Sequence, residues 1–240
     1  MSAERILPPH RSVRVFRAEP LPYETFERIL AEAQRAPTDA TAQMYSFIRI
    51  ASPDRRSRMA AISGDQTHVA EAAEFLVVCA DVRRLERVLG SRGHRPGAYP
   101  AVGLHFAIVD ATLAAQRLID AAEALGLGTV CIGGILNGLE ELVDSLALPR
   151  GVLPLFGVCL GWPGEEPVER PRLALSAVLH QDAYREQEPG EIDADVTRMA
   201  AITRSRDWVS ILARYFASGG TMEQRESGLR RVLERQGFAW

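Results

Sequence analysis

The stretch Ala124–Ile135, ALGLGTVCIGGI, decides the fold. It leaves a long apolar segment, passes glycines at 126 and 128, runs through Thr129–Ile132 and stops on Gly133-Gly134. Glycines between two periodic segments are turn residues. The β-branched TVCI that follows is a short strand. Paired glycines at a strand end form a tight turn, or they let the backbone approach a planar ligand closely and aim N–H groups at it. GLGLG is no dinucleotide fingerprint, because that motif follows a strand and opens a helix, the reverse of the order here. GxxxxGK[ST], GxSxG and HExxH are absent, so neither a P-loop, a hydrolase elbow nor a zincin is expected.

Working outward, residues 102–125 form one long helix. Its Asp110, Arg117, Asp120 and Glu123 make it a buried helix rather than a membrane span. Before it come a helix over 21–35, the loop APTDATAQ, a strand over 45–50 and two short helices over 55–62 and 69–73. A buried strand over 75–80, a charged helix over 82–89 and a mobile Gly/Pro/Arg-rich loop over 91–100 follow. After it come a helix over 139–146 and a buried strand over 155–160, closed by Gly161-Trp162-Pro163. Strands and helices alternate without repeats, which places the chain in the α/β or α+β class around one sheet. Past Pro163 the composition shifts. VERPRLALSAV (168–178) reads as an extended arm and EQEPGEIDAD (186–195) as an acidic linker, with helices near 208–216 and 223–236. The organisation expected is a core over 1–165 and an appendage over 166–240, an arm suited to reach a partner subunit.

Of 240 residues, 47% are hydrophobic and 25% charged, and the net charge is -3. This suits a soluble globular protein and argues against a general nucleic-acid or membrane-surface role. No lysine occurs, so an anion site here must use Arg, His or backbone N–H groups. Cys79, Cys131 and Cys159 each sit in an apolar run, without CxxC spacing and without an apolar signal core near the N-terminus. They read as three buried thiols in a reducing, cytoplasmic setting, with no metal site.

Four segments carry potential chemistry. In His10-Arg11-Ser12-Val13-Arg14-Val15-Phe16, two guanidinium groups and a hydroxyl can clasp a phosphate or a carbonyl-rich ring edge, or form a solvated basic turn. In Arg170-Pro171-Arg172, the proline extends the backbone and sends both arginines to one side, which suits a bidentate phosphate grip or leaves a solvated basic pair. Gln43 and Gln66 each carry an amide that can read a pyrimidine edge or lie in solvent. The fourth segment is Thr129–Gly134.

Together, in this order and spacing, HRSVRVF, RAPTDATAQ, SGDQTHVAEAAEFLVVCAD, ALGLGTVCIGGI, LPLFGVCLGWP and RPRLALSAVLHQDAY resemble the NADPH-dependent nitroreductase and FMN reductase family. The resemblance is to its larger-chain branch, which holds the oxygen-insensitive major nitroreductase and the flavin reductase of luminous bacteria. It covers nearly the whole chain. It implies an α+β, nitroreductase-like fold with a central mixed or antiparallel sheet flanked by helices. It also implies an intertwined homodimer with a C-terminal arm and one FMN in each of two interface pockets. Arg11, Ser12, Arg170 and Arg172 match positions that hold the FMN phosphate and ribityl chain, with His10 beside them. Arg14 matches the position facing flavin N1 and O2. Thr38, Asp39 and Gln43 match a loop that reaches the flavin, often from the other subunit, and Gln66 a contact near the pyrimidine edge. Cys131, Ile132, Gly133 and Gly134 match the strand end lying over N5 and O4.

The implied activity is transfer of electrons from NADPH or NADH through FMN to nitroaromatics, quinones or free flavin by a ping-pong scheme, with no side chain needed as acid or base. A flavin-binding or flavin-delivery protein, or a relative using reduced flavin for another reaction, are the alternatives. The branch usually has an aromatic where Cys131 stands, Arg where Leu136 stands and Ser where Asp39 stands. Its basic nicotinamide-phosphate loop is shortened, which leaves Arg204 and Arg206 as candidates.

Overall fold

The computed structural model of the chain describes residues 7–200 and 207–238, so Arg204 and Arg206 lie outside the described residues. The chain divides into two compact units: Met1–Pro167 with Ser227–Trp240, and Val168–Glu226. The last helix therefore begins in one unit and ends in the other.

In the first unit, β1 (Tyr45–Arg49), β2 (Glu74–Asp81), β3 (Gly128–Ile132) and β4 (Val152–Gly161) form one sheet in the order β1-β2-β4-β3. Every pairing among these four strands is antiparallel. A parallel element enters as a single bridge, Ser12↔Thr129. All eight residues of β2 are buried, as its unbroken apolar run requires of a strand covered on both faces.

Helices α1 (Tyr23–Ala33), α2 (Pro53–Ile62), α3 (His68–Glu71), α4 (Arg83–Ser91), α5 (Pro100–Ala124) and α6 (Leu139–Ser145) flank this sheet. Residues 92–99 run between α4 and α5 without helix or strand. The 25-residue α5 packs on β1, β2, β3 and α1. Its buried face carries Ala107, Ala111, Ala114 and Ala115, small side chains that let a helix lie close to a sheet. By length and composition α5 could cross a membrane, yet half of its most apolar window is buried inside the fold. Its other flank leaves Val102, Ile108, Val109 and Leu113 exposed.

Glu74, only 3% exposed, ties the second strand to its surroundings. Its carboxylate accepts Arg49 Nε at 2.7 Å and Nη2 at 2.5 Å. Arg56 reaches the same carboxylate at 3.4 Å and donates to the carbonyls of Ile50 and Ala73 at 2.7 and 2.8 Å. At the chain end, Gln236 donates to the Val152 and Pro149 carbonyls at 2.7 and 3.1 Å, which fixes the last helical turn to the start of β4.

The second unit corrects one expectation. Residues 186–195, read as an acidic linker, mostly form helix α7 (Pro189–Met199), followed by α8 (Trp208–Phe216); α9 (Thr221–Gln236) crosses back to the first unit. Pro189 occupies the first helical position and Glu191 accepts the Glu188 N–H at 2.8 Å, so the acidic residues cap a helix rather than extend a coil. The preceding arm is not uniformly extended either, since Leu175–Ala177 makes a 3-10 turn and Ala174 N–H donates to Asp195 at 2.9 Å.

Candidate active site

The segment His10–Phe16 lies along the free edge of β3. Ser12 pairs with Thr129 in parallel and Val13 N–H donates to the Thr129 carbonyl at 2.9 Å. Farther on, Phe16 bridges Pro163 and Arg17 N–H donates to the Trp162 carbonyl at 2.9 Å. Gly128 permits this approach, because a Cβ there would stand 2.5 Å from Val13 Cγ2. Glu165 accepts the N–H groups of Arg14 and Val15 at 2.6 and 3.1 Å. Glu123, at the end of α5, accepts the Thr129 hydroxyl at 2.6 Å and sits 2.7 Å from His10 Nδ1. The fold brings 10–14 and 131–134 to one sheet edge.

β3 ends on the two glycines, and they face different surroundings. Gly133 is exposed, and nothing comes within 4 Å of a Cβ built on it. Gly134 is pressed against the 63–68 turn, where a Cβ would meet Gln66 Nε2 at 2.2 Å and the Ser63 carbonyl at 2.3 Å. The Gln66 amide donates to that carbonyl at 2.7 Å, so Gln66 joins the cluster. The same turn holds two buried polar atoms without a partner, Ser63 Oγ and His68 Nε2. Burial, then the positive charge of Arg14, lower the His68 pKa below the ordinary histidine value.

Cys131 corrects a second expectation. It is exposed, whereas Cys79 and Cys159 are buried. Along the edge strand it alternates with the buried Val130 and Ile132, so it takes the opposite face. Burial pushes the Cys79 thiol up to about 12.

Thr38, Asp39 and Gln43 sit elsewhere. Their loop leads into β1, at the sheet edge opposite the one lined by Ser12. Three interstrand spacings separate the outer strands, roughly 14 Å. Beneath the loop, the fully buried Asp110 accepts Asp39 N–H through Oδ1 and Met44 N–H through Oδ2, both at 2.9 Å. Within this clamp Ala40, Thr41 and Gln43 hold φ of 45°, 56° and 51°, a left-handed conformation disfavoured for residues other than glycine. Arg84 donates to the Gln43 carbonyl at 3.0 Å. A cavity of about 650 Å³ opens between the loop, α4 and the first turns of α5. Arg170 and Arg172 belong to the second unit, where Arg172 donates to the carbonyls of Arg170 and Pro171 at 3.1 Å each.

Asp110, Glu123, Ser63, His68 and Glu165 are the site residues that sequence reading missed. Asp110 and Glu123 stood out only as charges in an apolar helix. A carboxylate on the buried face of such a helix is the signal that marks Asp110; Glu123 is only partly covered and carries no such signal.

A helix-flanked antiparallel sheet with an arginine-bearing segment laid along one edge and an open glycine beside it defines the class of α+β protein. Comparison with known sequences makes this specific. A profile described as the Nitroreductase family matches residues 9–162. The oxygen-insensitive NADPH nitroreductase of Salmonella typhimurium is 40% identical over 178 residues, spanning 73% of this chain and 72% of that protein. The solved structure of nitroreductase A from Vibrio parahaemolyticus aligns with a TM-score of 0.79 at 32% identity, covering 85% of this chain and 86% of that one. The NADPH:FMN oxidoreductase of Vibrio harveyi, solved with NAD+, aligns with a TM-score of 0.80 at 30% identity, covering 95% and 94%. The chain belongs to the nitroreductase family.

Proposed function

We propose that the chain is an FMN-dependent oxidoreductase that passes electrons from NADPH or NADH to small acceptors (nitroaromatics, quinones or free flavin) by a ping-pong scheme, as a homodimer. The observation that carries this reading is the juxtaposition of Ser12 with the strand that ends on the open Gly133. The donor and acceptor named for the similar proteins, NADPH, FMN and nitro compounds, point the same way.

The residues fit FMN. Gly133 leaves space for a flat ring, and Ser63 Oγ and His68 Nε2 are buried polar atoms in want of a partner. When bound, FMN supplies the redox chemistry, accepting hydride from nicotinamide and releasing two electrons to the acceptor. His10, Arg11 and Ser12 hold the phosphate, joined by Arg170 and Arg172. Arg14 sets a positive charge at the N1 and O2 side, where negative charge collects on reduction. The Ile132–Gly134 backbone, entered through Cys131, orients N5 and O4, and Gln66 reads the pyrimidine edge. No side chain is needed as acid or base.

The separation of the two sheet edges supports the homodimer reading. A flavin on the Ser12 edge of one chain meets Thr38, Asp39 and Gln43 only if a second chain brings its own opposite edge. The exposed apolar flank of α5 supplies surface for that association.

An anaerobic absorbance titration of the purified chain with NADPH, and separately with NADH, tests the reading. The expected result is a bound-flavin spectrum that bleaches rapidly with at least one donor. A flavin that stays oxidised with both would assign a flavin-holding role, and a chain that binds no flavin would overturn the proposal.

A further inference from the structure

His10 stands between two partners. Its Nδ1 is 2.7 Å from Glu123 Oε1, and its Nε2 is 3.2 Å from Ser12 Oγ. The same Glu123 oxygen already accepts the Thr129 hydroxyl at 2.6 Å. An ionised carboxylate only accepts, so Nδ1 must carry a hydrogen and donate it. This assigns the tautomer. In the neutral ring Nε2 is then bare and can only accept, so Ser12 turns its single hydroxyl hydrogen inward toward it. Add a proton to the ring and the bond reverses. Nε2–H now donates to Ser12 Oγ, the serine hydrogen is released to point outward, and the ring carries a positive charge. An anion outside Ser12 meets a closed hydroxyl in the first state, and an open hydroxyl beside a cation in the second.

We infer that Glu123, acting through His10, couples phosphate binding at Ser12 to the uptake of one proton on His10. Glu123 is thus a positioning residue for the cofactor phosphate, and the inference rests on reading residues 10–14 as the phosphate site. Glu123 on α5 is the charged group in contact with the ring; Arg11 and Arg14 share its segment, and Cys131 on β3 interacts electrostatically with Glu123. The arginines attract phosphate at every working pH, so the proton-linked part is superimposed on a constant one. Its sign is fixed. The protonated ring belongs to the bound state, so affinity falls as pH rises, by up to roughly tenfold per pH unit once the free ring has lost its proton.

Calorimetry tests this with the full chain freed of flavin. FMN is titrated at pH 7.5 in two buffers of different ionisation heat, which counts the protons taken up, and riboflavin is titrated in parallel. The phosphate itself titrates near pH 6, so His10→Asn serves to separate the protein's proton from the ligand's. The expected result is substantial proton uptake with FMN, little with riboflavin, and little with FMN on His10→Asn. Glu123→Gln should lessen the FMN-linked proton uptake, because a side-chain amide can also donate to Nδ1 and so no longer fixes which ring nitrogen is bare toward Ser12. FMN binding without proton uptake, or with equal uptake in His10→Asn, would overturn the coupling while leaving the phosphate site standing. Equal uptake with riboflavin would place the proton away from the phosphate and overturn it too. Failure of FMN to bind would remove both. If His10→Asn does not fold, the phosphorus-31 signal of FMN bound to the unaltered chain decides: a dianionic phosphate supports uptake on the protein, and a phosphate that has itself gained the proton overturns the coupling.

Discussion

At the scale of single residues, the adjacent glycines at 133 and 134 do different work. A methyl at 134 has no room, with atoms at 2.2 and 2.3 Å, so Gly134→Ala should destabilise by about 1–3 kcal/mol through overpacking. A methyl at 133 meets nothing within 4 Å. Gly133→Ala should therefore stay within about 1 kcal/mol of the parent in urea melts yet weaken FMN binding, read by flavin fluorescence. Equal FMN affinity would show that the ring does not lie over Gly133. Asp110 permits a second comparison. Asp110→Asn keeps one acceptor and turns an amide toward the other backbone donor, leaving it unsatisfied at about 1–3 kcal/mol. Amide exchange at Asp39 or Met44 should then quicken well beyond any global loss of protection; unchanged local exchange would remove Asp110 as the clamp of that loop. Arginine spacing and paired glycines are local patterns, so His10–Arg14 and Ile132–Gly134 stand out in the sequence, yet each alone reads equally as a basic or tight turn and only their occurrence together points to a flavin. The role of Asp110 is not legible there, because the backbone donors it holds lie 66 and 71 residues away, nor is the contact of Glu123 with His10, 113 residues away, since a carboxylate does not announce its distant partner.

At the scale of elements, the positions of the strands and of most helices were readable from apolar runs and periodicity, while α7 was concealed by its charge. Acidic composition was read as solvated coil, although the same acids fit the first turn of a helix behind Pro189. The cap makes α7 responsive to acid. Glu191 is held down to about 2, first by its hydrogen bond to Arg185 and then by the Glu188 N–H, from an ordinary value of 4.5. Because the folded-state value is depressed, the contribution of this carboxylate is complete above the ordinary value and is lost as pH falls from there through about 2. Circular dichroism should show helix lost across that window, and Arg185→Ala should narrow it by raising its lower limit. The same low-pH loss in Arg185→Ala would place its cause elsewhere. The Arg49–Glu74–Arg56 cluster between β1, β2 and α2 is a stiffer joint. Glu74→Ala strands the mostly buried Arg56 guanidinium and should lower stability by about 3–5 kcal/mol in urea melts.

At the scale of the whole molecule, the proposed homodimer would draw its flavin contacts from the two opposite sheet edges of different chains. Charged residues on the exposed flank of α5, as in Val109→Glu with Leu113→Glu, should yield a folded monomer in sedimentation that has lost FMN together with its partner's loop. A monomer that retained FMN at full affinity would show that one chain completes the site. The segment His10–Val15 also has a history within each chain. Its side-chain and backbone partners lie 113 residues downstream at Glu123 and 151 downstream at Glu165. A ribosome releases this segment among the first residues and its supports only much later. Until β3 and its neighbour β4 have emerged, residues 10–15 have no sheet edge to lie against, so on the proposed function flavin capture must wait for them. Synthesis that stalls earlier leaves a fragment unable to load flavin, and its lack of colour distinguishes it from the finished protein.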